Sequence, residues 1–268
     1  MNESGTVHVR YGMSRFLYRC LPSTWILQAF ICLLVIHSAG CATSRQWSPI
    51  ATQPQTPLAS VSVSPMSAEL EFDALADGQR LKLDGVWVSQ GPDRFRLELR
   101  APTGGAIFAI ATDGEEITCY DARASRFFVG AASPRSFDLL LPMAPMTLEA
   151  SQWLKLLLGA MKPSDDAEYE LADDGTFRAQ FRQGENEIRT TYDSRGYVET
   201  VEVLGGKGNV KVTYGKRDAQ GRSLETLIDD ANGDYRMRMR LRDIRESDGF
   251  RDKIFKIREP SGAEKISL

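Results

Sequence analysis

Alternation of apolar and charged residues dominates the chain between residues 81 and 258. The clearest example is the segment 94–100 (RFRLELR), in which every odd position is apolar and every even position is charged. A period of two with one polar face predicts a strand of an antiparallel sheet that is covered on one side. Turn sequences such as Asp113-Gly114 and Asn232-Gly233 separate similar segments. The pattern therefore predicts ten to twelve strands, including one at 254–258, in a meander.

Helical patterns are few and lie mainly in the middle of the chain. Residues 133–140 carry a serine cap followed by proline, and residues 147–159 carry a threonine cap and a final glycine. A further short helix is predicted at 67–76. Because the segment 153–158 is strongly apolar, we expect its helix to cover the sheet. The predicted fold class is mainly β with a few helices (α+β), as one large curved sheet with helices across its concave face.

A predicted export signal precedes the folded part. The apolar run 25–36, interrupted by a single glutamine, follows three arginines and precedes the small residues 38–40. As a helix the run would extend roughly 18 Å against about 30 Å of hydrocarbon, so a permanent membrane span is disfavoured. We expect residues 1–40 to be cleaved, with translation beginning at either Met1 or Met13.

Cys41 has two interpretations. Its place after Ala39 and Gly40 resembles the lipobox of bacterial lipoproteins, in which the cysteine sulfur is diacylated and the cysteine becomes the amino terminus. The alternative is an ordinary signal peptide with a chance cysteine at the cut. As a lipoprotein with Ala42 next, by analogy with the sorting rule, the chain is predicted to be lipid-anchored in the outer membrane, facing the periplasm. Residues 41–65, rich in Ser, Thr, Gln and Pro, predict a flexible tether before a domain at 66–268.

The composition narrows the function classes. The chain is 42% apolar and 26% charged, and removal of residues 1–40 leaves 30 basic against 35 acidic side chains, a net charge of −5. This charge indicates no nucleic-acid partner. His8 and His37 leave with the signal, which excludes histidine nucleophile systems and histidine-ligated zinc from the mature chain. Cys119 is expected to be a core thiol. We therefore expect no enzyme activity, no metal site and no cofactor.

One region resembles a known family. It comprises 84–88 (DGVWV), 95–105 (FRLELRAPTGG), 107–118 and the leucine-rich segment 137–159, where that family has lid helices. This order resembles the lipoprotein-localisation family of LolA and LolB, half-barrel proteins of the bacterial envelope. The resemblance implies an incompletely closed antiparallel β-barrel covered by helices on its concave face. It further implies a membrane-anchored, LolB-like carrier or receptor for acyl chains of lipoproteins or lipids, with a periplasmic carrier protein as a possible partner.

The cavity or lid candidates share an apolar side chain on a predicted strand or helix face. They are Trp87, Phe95, Leu97, Leu99, Leu139, Leu140, Trp153, Leu154, Leu157, Leu158, Met237 and Met239. A second function remains open, namely a non-catalytic structural or interaction lipoprotein of an envelope assembly. In that case the protein would keep the fold and fill the cavity with its own side chains.

Residues 235–242 (YRMRMRLR) place four arginines on one strand face and Tyr, Met, Met and Leu on the other. One interpretation is a cationic strip that binds phosphate beside a cavity. The other is a solvated strand face paired with acids, for which Glu225, Asp229 and Asp230 are candidates. The sequence favours the solvated face.

Overall fold

The structure is a computed structural model that describes residues 45–54, 58–59, 61, 63–76, 78–102, 104–140, 148–205 and 208–268. The predicted signal at 1–40 and the predicted acylation site Cys41 lie outside the described residues. Among the described residues, fifteen strands form one sheet. They are β1 (Trp47–Ile50), β2 (Met66–Ala76), β3 (Gln79–Gln90), β4 (Arg94–Arg100), β5 (Ala106–Thr112), β6 (Glu116–Asp121), β7 (Arg126–Ala131), β8 (Glu168–Ala172), β9 (Phe177–Gln183), β10 (Asn186–Tyr192), β11 (Val198–Leu204), β12 (Val210–Tyr214), β13 (Glu225–Asp230), β14 (Tyr235–Glu246) and β15 (Glu264–Ser267).

The strand order is β1-β8-β9-β10-β11-β12-β13-β14-β2-β3-β4-β5-β6-β7-β15. Neighbouring strands are antiparallel, except that β15 runs parallel to β7. The edge strands β1 and β15 each have one neighbour, so the sheet is not closed into a barrel. The helices α1 (Pro134–Leu140) and α2 (Ala150–Leu158) pack on one face, called here the inner face. The predicted fold class, mainly β with an open antiparallel sheet and helices on one face, is confirmed.

The helix predicted at 67–76 is wrong, because this segment forms β2. Ala, Glu and Leu favour a helix when they are considered locally. The same residues also alternate, with Leu70 buried on the inner face and the neighbouring Glu69 and Glu71 turned to the other side. β2 pairs with β14 on one edge and β3 on the other over most of its length. These two ladders outweigh the small difference in helix propensity.

The edges of the sheet also differ from the prediction. Strand β1 falls within the predicted tether at 41–65, so ordered structure begins before residue 66. Trp47 pairs in register with Ala172, and the guanidinium of Arg178 lies 4.5 Å from the centre of its ring. The strand predicted at 254–258 is replaced by a 3₁₀ helix at Asp252–Phe255. Both edge strands are only four residues long, too short for alternation to reveal them.

The segment around this 3₁₀ helix covers the outer face of β4 and β6. Arg96 on β4 donates to the carbonyl oxygen of Ile254 at 3.3 Å, and the backbone nitrogen of Ile257 donates to Thr118 on β6 at 3.0 Å. Phe255, the last residue of the 3₁₀ helix, is fully buried. The cover explains why Thr118 is buried although its side chain faces away from the inner face.

Candidate functional site

A cavity of about 330 Å³ lies between the helices and the inner face of β14, β2, β3, β4, β5 and β6. This volume falls within the range of roughly 300–1,000 Å³ that is typical of small-molecule sites. Its lining residues are Phe72, Leu81, Leu83, Trp87, Phe95, Leu97, Leu99, Ile107, Phe108, Ile110, Asp121, Arg123, Leu140, Trp153, Leu157, Tyr235, Met237 and Met239. Sixteen of the eighteen are uncharged, and all but Tyr235 among these are hydrophobic.

Nine of the twelve candidates from the sequence lie in the wall of this cavity. They are Trp87, Phe95, Leu97, Leu99, Leu140, Trp153, Leu157, Met237 and Met239. Leu154 and Leu158 instead lie wholly within the packed core, and Leu139 is 57% exposed on α1. Helical spacing showed which residues share a face of α2. It could not show which part of that face meets the cavity.

Aromatic rings form one end of the cavity. The rings of Trp87 and Phe95 stack with centroids 5.5 Å apart, and Phe137 of α1 lies 6.0 Å beyond Phe95. Gly85, two residues before Trp87, permits the close approach of β3 and β4, because a Cβ there would overlap the carbonyl oxygen of Glu98. Aromatic pairs of this kind contribute to stability beyond their buried area, so they stabilise this end of the cavity.

The carboxyl end of α2 is bonded to the sheet. Tyr214 Oη donates to the carbonyl oxygen of Leu156 at 2.6 Å, and Thr226 Oγ1 donates to that of Leu157 at 2.9 Å. The backbone nitrogen of Ser223 donates to the carbonyl oxygen of Leu158 at 3.0 Å. The last carbonyl groups of a helix have no partner within the helix. The bonds from Thr226 and Ser223 therefore satisfy buried groups, while the Leu156 carbonyl oxygen also accepts the backbone nitrogen of Gly159 at 3.2 Å. These hydrogen bonds hold α2 in place over the sheet, and α2 is called here the roof of the cavity.

The cavity is elongated along the strands. Leu81 and Trp87 both line it and lie six residues apart on β3, which corresponds to roughly 20 Å at about 3.3 Å per residue. One acyl chain occupies about half of the 30 Å hydrocarbon thickness of a bilayer, that is, about 15 Å. The long axis of the cavity is therefore sufficient for a single acyl chain.

The two charged residues in the lining, Asp121 and the exposed Arg123, lie at the end of the cavity where β6 ends and β14 begins, called here the mouth. Asp121 ends β6, and its Oδ1 accepts hydrogen bonds from the backbone nitrogens of Arg123 at 2.9 Å and Ala124 at 3.4 Å. The exposed Arg123 side chain forms no ion pair with any residue that the structure describes. Across the mouth lies Tyr235, whose pKa is raised by burial, so its hydroxyl is neutral. Sequence reasoning missed Arg123, because a lone arginine in a turn carries no local signal.

The four arginines of β14 lie on the outer face, away from the cavity. Arg236 pairs with Asp229 at 2.6 Å, and Arg240 pairs with Glu225 at 3.1 Å. The same strip also pairs with Glu71 of β2, through Arg242 at 2.7 Å. This arrangement confirms the solvated, ion-paired interpretation for Glu225 and Asp229. The prediction for the third acid, Asp230, is wrong, because its Oδ1 instead accepts a hydrogen bond from the backbone nitrogen of Tyr235 at the hairpin turn.

Cys119 lies beneath the cavity on the inner face of β6 and is 1% exposed. Burial, followed by the nearby charge of Asp121, raises the pKa of its thiol to about 12. The thiol is therefore protonated near neutral pH and is a poor nucleophile. In the part of the chain that the structure describes, no three His, Cys, Asp or Glu side chains come together as metal ligands. No described helix has the length and hydrophobicity needed to cross a membrane.

Comparisons with known proteins find neither a matching protein-family model nor a matching curated protein. Solved structures do match. A LolA superfamily protein from Nitrosomonas europaea is 13% identical, with a TM-score of 0.48, over 73% of this chain and 91% of that chain. A DUF1329 family protein from Desulfovibrio piger is 10% identical, with a TM-score of 0.49, over the same shares. A Vibrio parahaemolyticus domain described as an outer membrane lipoprotein-sorting protein is 11% identical, with a TM-score of 0.45, over 72% and 90%. The family that the sequence resembles is thus represented among solved structures similar to this chain.

Proposed function

We propose that this protein is a non-catalytic, membrane-anchored carrier or receptor that binds acyl chains of lipids or lipoproteins in the bacterial envelope. The observation that carries the proposal is the elongated apolar cavity of about 330 Å³ under the fixed roof of α2. Its inner wall offers leucine, phenylalanine and methionine side chains without a charge, which suits an alkyl chain and no polar substrate.

The free energy of chain burial is sufficient for carrier function. Each buried CH₂ group contributes about 0.8 kcal/mol, so ten methylene groups contribute about 8 kcal/mol before the costs of association. A net free energy of about 8 kcal/mol would correspond to a Kd of about 1 μM, so after the costs of association the Kd for ten methylene groups lies above about 1 μM. Binding of this strength retains a chain during transfer and still permits its release to a membrane or a second protein.

The anchor belongs to the same proposal. Cleavage after Gly40, acylation of Cys41 and placement in the outer membrane follow from the sequence pattern at 38–42. A thioether-linked pair of chains plus an amide-linked third would hold the protein firmly, since anchoring strength rises with each buried CH₂. The periplasmic protein that would deliver a chain is part of the proposal too.

Mass spectrometry of the protein purified from membranes tests both parts. We expect a diacylglyceryl mass on Cys41 and acyl species that co-purify with the folded domain. A protein that is consistently free of acyl species, and that takes up none when offered, would instead be the structural lipoprotein with a self-filled cavity.

A cavity-filling variant locates the binding site. Leu97→Trp adds an indole to a half-buried position of the cavity wall, so we expect at least tenfold weaker binding of a fluorescent fatty acid with little loss of stability. Lys211→Trp is the matched control, because it places the same ring on the exposed face of β12. Equal binding by Leu97→Trp and the native chain would show that the cavity is not the site.

A further inference from the structure

We propose that the cavity selects a single chain that carries an acidic head group, a carboxylate or a phosphate, and that Arg123 binds this head group at the mouth. The inference rests on the proposed function and adds the class of ligand and the residue that recognises it.

The strand register places the mouth at one end of the sheet. β2 ends at Ala76 opposite Tyr235, the first residue of β14. β6 ends at Asp121 opposite Phe108 of β5. The turn that carries Arg123 therefore lies at the same end as the start of β14, with the cavity between them. The aromatic end of the cavity lies at the other end of the strands, so a bound chain would point its head group toward Arg123.

The guanidinium of Arg123 has donors to offer, because no described residue forms an ion pair with it. Arg126, the first residue of β7 after this turn, pairs with Glu264 at 3.3 Å, whereas Arg123 has no ion-pair partner among the described residues. Among the described residues, Asp121 is the only other charged residue in the lining, and its Oδ1 accepts two backbone N–H groups. A guanidinium binds carboxylate and phosphate oxygens through paired charge-assisted hydrogen bonds, which matches an acid at this position.

The negative charge of Asp121 repels an anion at the mouth. Removing this charge therefore provides a second test of the proposal, with an effect opposite to that of removing the charge of Arg123. The turn needs an acceptor oxygen at residue 121 and does not need its charge, because the bonds come from backbone N–H groups. Asp121→Asn retains that oxygen. We therefore expect substitutions at 121 and 123 to change the affinity for an acid in opposite directions.

The experiment compares cis-parinaric acid with its methyl ester, which has the same chain and no charge. Arg123→Gln should weaken binding of the acid roughly three- to tenfold, the size of a charge-assisted contact at a partly exposed mouth, and leave the ester unchanged. Asp121→Asn should strengthen binding of the acid about twofold, with the ester again unchanged. Arg126→Gln is the matched control, because it removes the same charge three residues later, at the start of β7 and outside the cavity lining. It should preserve the ratio of the two affinities.

The outcomes separate this inference from the proposed function. If neither the acid nor the ester binds the native protein, the proposed function is wrong. If both bind and Arg123→Gln preserves their ratio, the head-group assignment is overturned while the cavity remains a chain-binding site. Lysophosphatidylglycerol should displace the acid in an Arg123-dependent way, which would support phosphate as a head group. Displacement of the acid by millimolar inorganic phosphate alone would overturn the assignment to a lipid, because a free anion would then satisfy the site.

Discussion

The sheet has two halves that share one alternating pattern and differ in what covers them. The packed half comprises β8 to β13, and its inner-face side chains are closely buried. They include Phe177, Ala179, Phe181, Ile188, Tyr192, Val198, Val201, Val203, Val210, Val212, Tyr214 and Ile228. The hollow half comprises β14 and β2 to β6, and its inner face lines the cavity. Burial of an apolar strand face therefore does not require that the space above it be filled by the chain.

Two physical differences separate the halves. The packed half uses many β-branched residues, which have few rotamers and pack tightly, whereas the hollow half uses longer leucine, methionine and aromatic side chains. The second difference is the distance between the sheet and its cover. Tyr214 and Thr226 bond the carboxyl end of α2 directly to β12 and β13. Trp153 and Leu157 of the same helix face the hollow half across the cavity.

The largest effect is expected in the packed half. Phe177 is fully buried and stacks on Tyr192 with ring centroids 4.7 Å apart. Phe177→Ala should lower the free energy of unfolding by about 3–5 kcal/mol, because it removes a large side chain and leaves a cavity in a rigid core. Urea unfolding followed by circular dichroism measures this change. A loss below about 1 kcal/mol would mean that the two halves are packed alike.

An intermediate effect is expected where α2 meets the packed half. Tyr214→Phe removes one donor to the Leu156 carbonyl oxygen, which still accepts the backbone nitrogen of Gly159. The variant should lower the free energy of unfolding by about 1.5 kcal/mol, the upper end of the range for one lost hydrogen bond. Amide exchange over 150–158 should accelerate. Tyr192→Phe is the matched control, since its hydroxyl donates to the Met161 carbonyl oxygen, outside α2. If α2 exchanges equally fast in both variants, the bond from Tyr214 does not hold the roof.

The smallest effect is expected in the hollow half. Phe108 is half-buried and lines the cavity, so Phe108→Ala should cost only about 1 kcal/mol, because it enlarges an existing space and creates no new one. Urea unfolding of this variant and of Phe177→Ala compares the hollow half with the packed half through the same substitution. Equal losses in the two variants would contradict the division into halves.

Local chemistry made several features predictable. The alternation at 94–100 identified the residues of β4 that face inward, and the same rule divided β14 into an inner face of methionines and an outer face of arginines. Two helix signals were also correct, since Ser133 accepts a hydrogen bond from the backbone nitrogen of Ser136 and Gly159 ends α2 with a left-handed φ of 68°. The N-cap of α2 is instead Glu149, and the predicted threonine cap at 147 lies outside the described residues. These features depend on contacts within a few residues, so a linear pattern contains them.

Features that depend on distant contacts could not be read in this way. The segment 67–76 has both helical composition and strand alternation, and its pairing with β14, more than 150 residues later, selects the strand. The same long-range pairing separates the leucines of α2 into those that line the cavity and those that are buried. It also brings the turn of Arg123 to the mouth that begins at Tyr235. The residues next to Arg123 in the sequence do not indicate this position, because the place of a charge relative to a cavity is a property of the folded sheet.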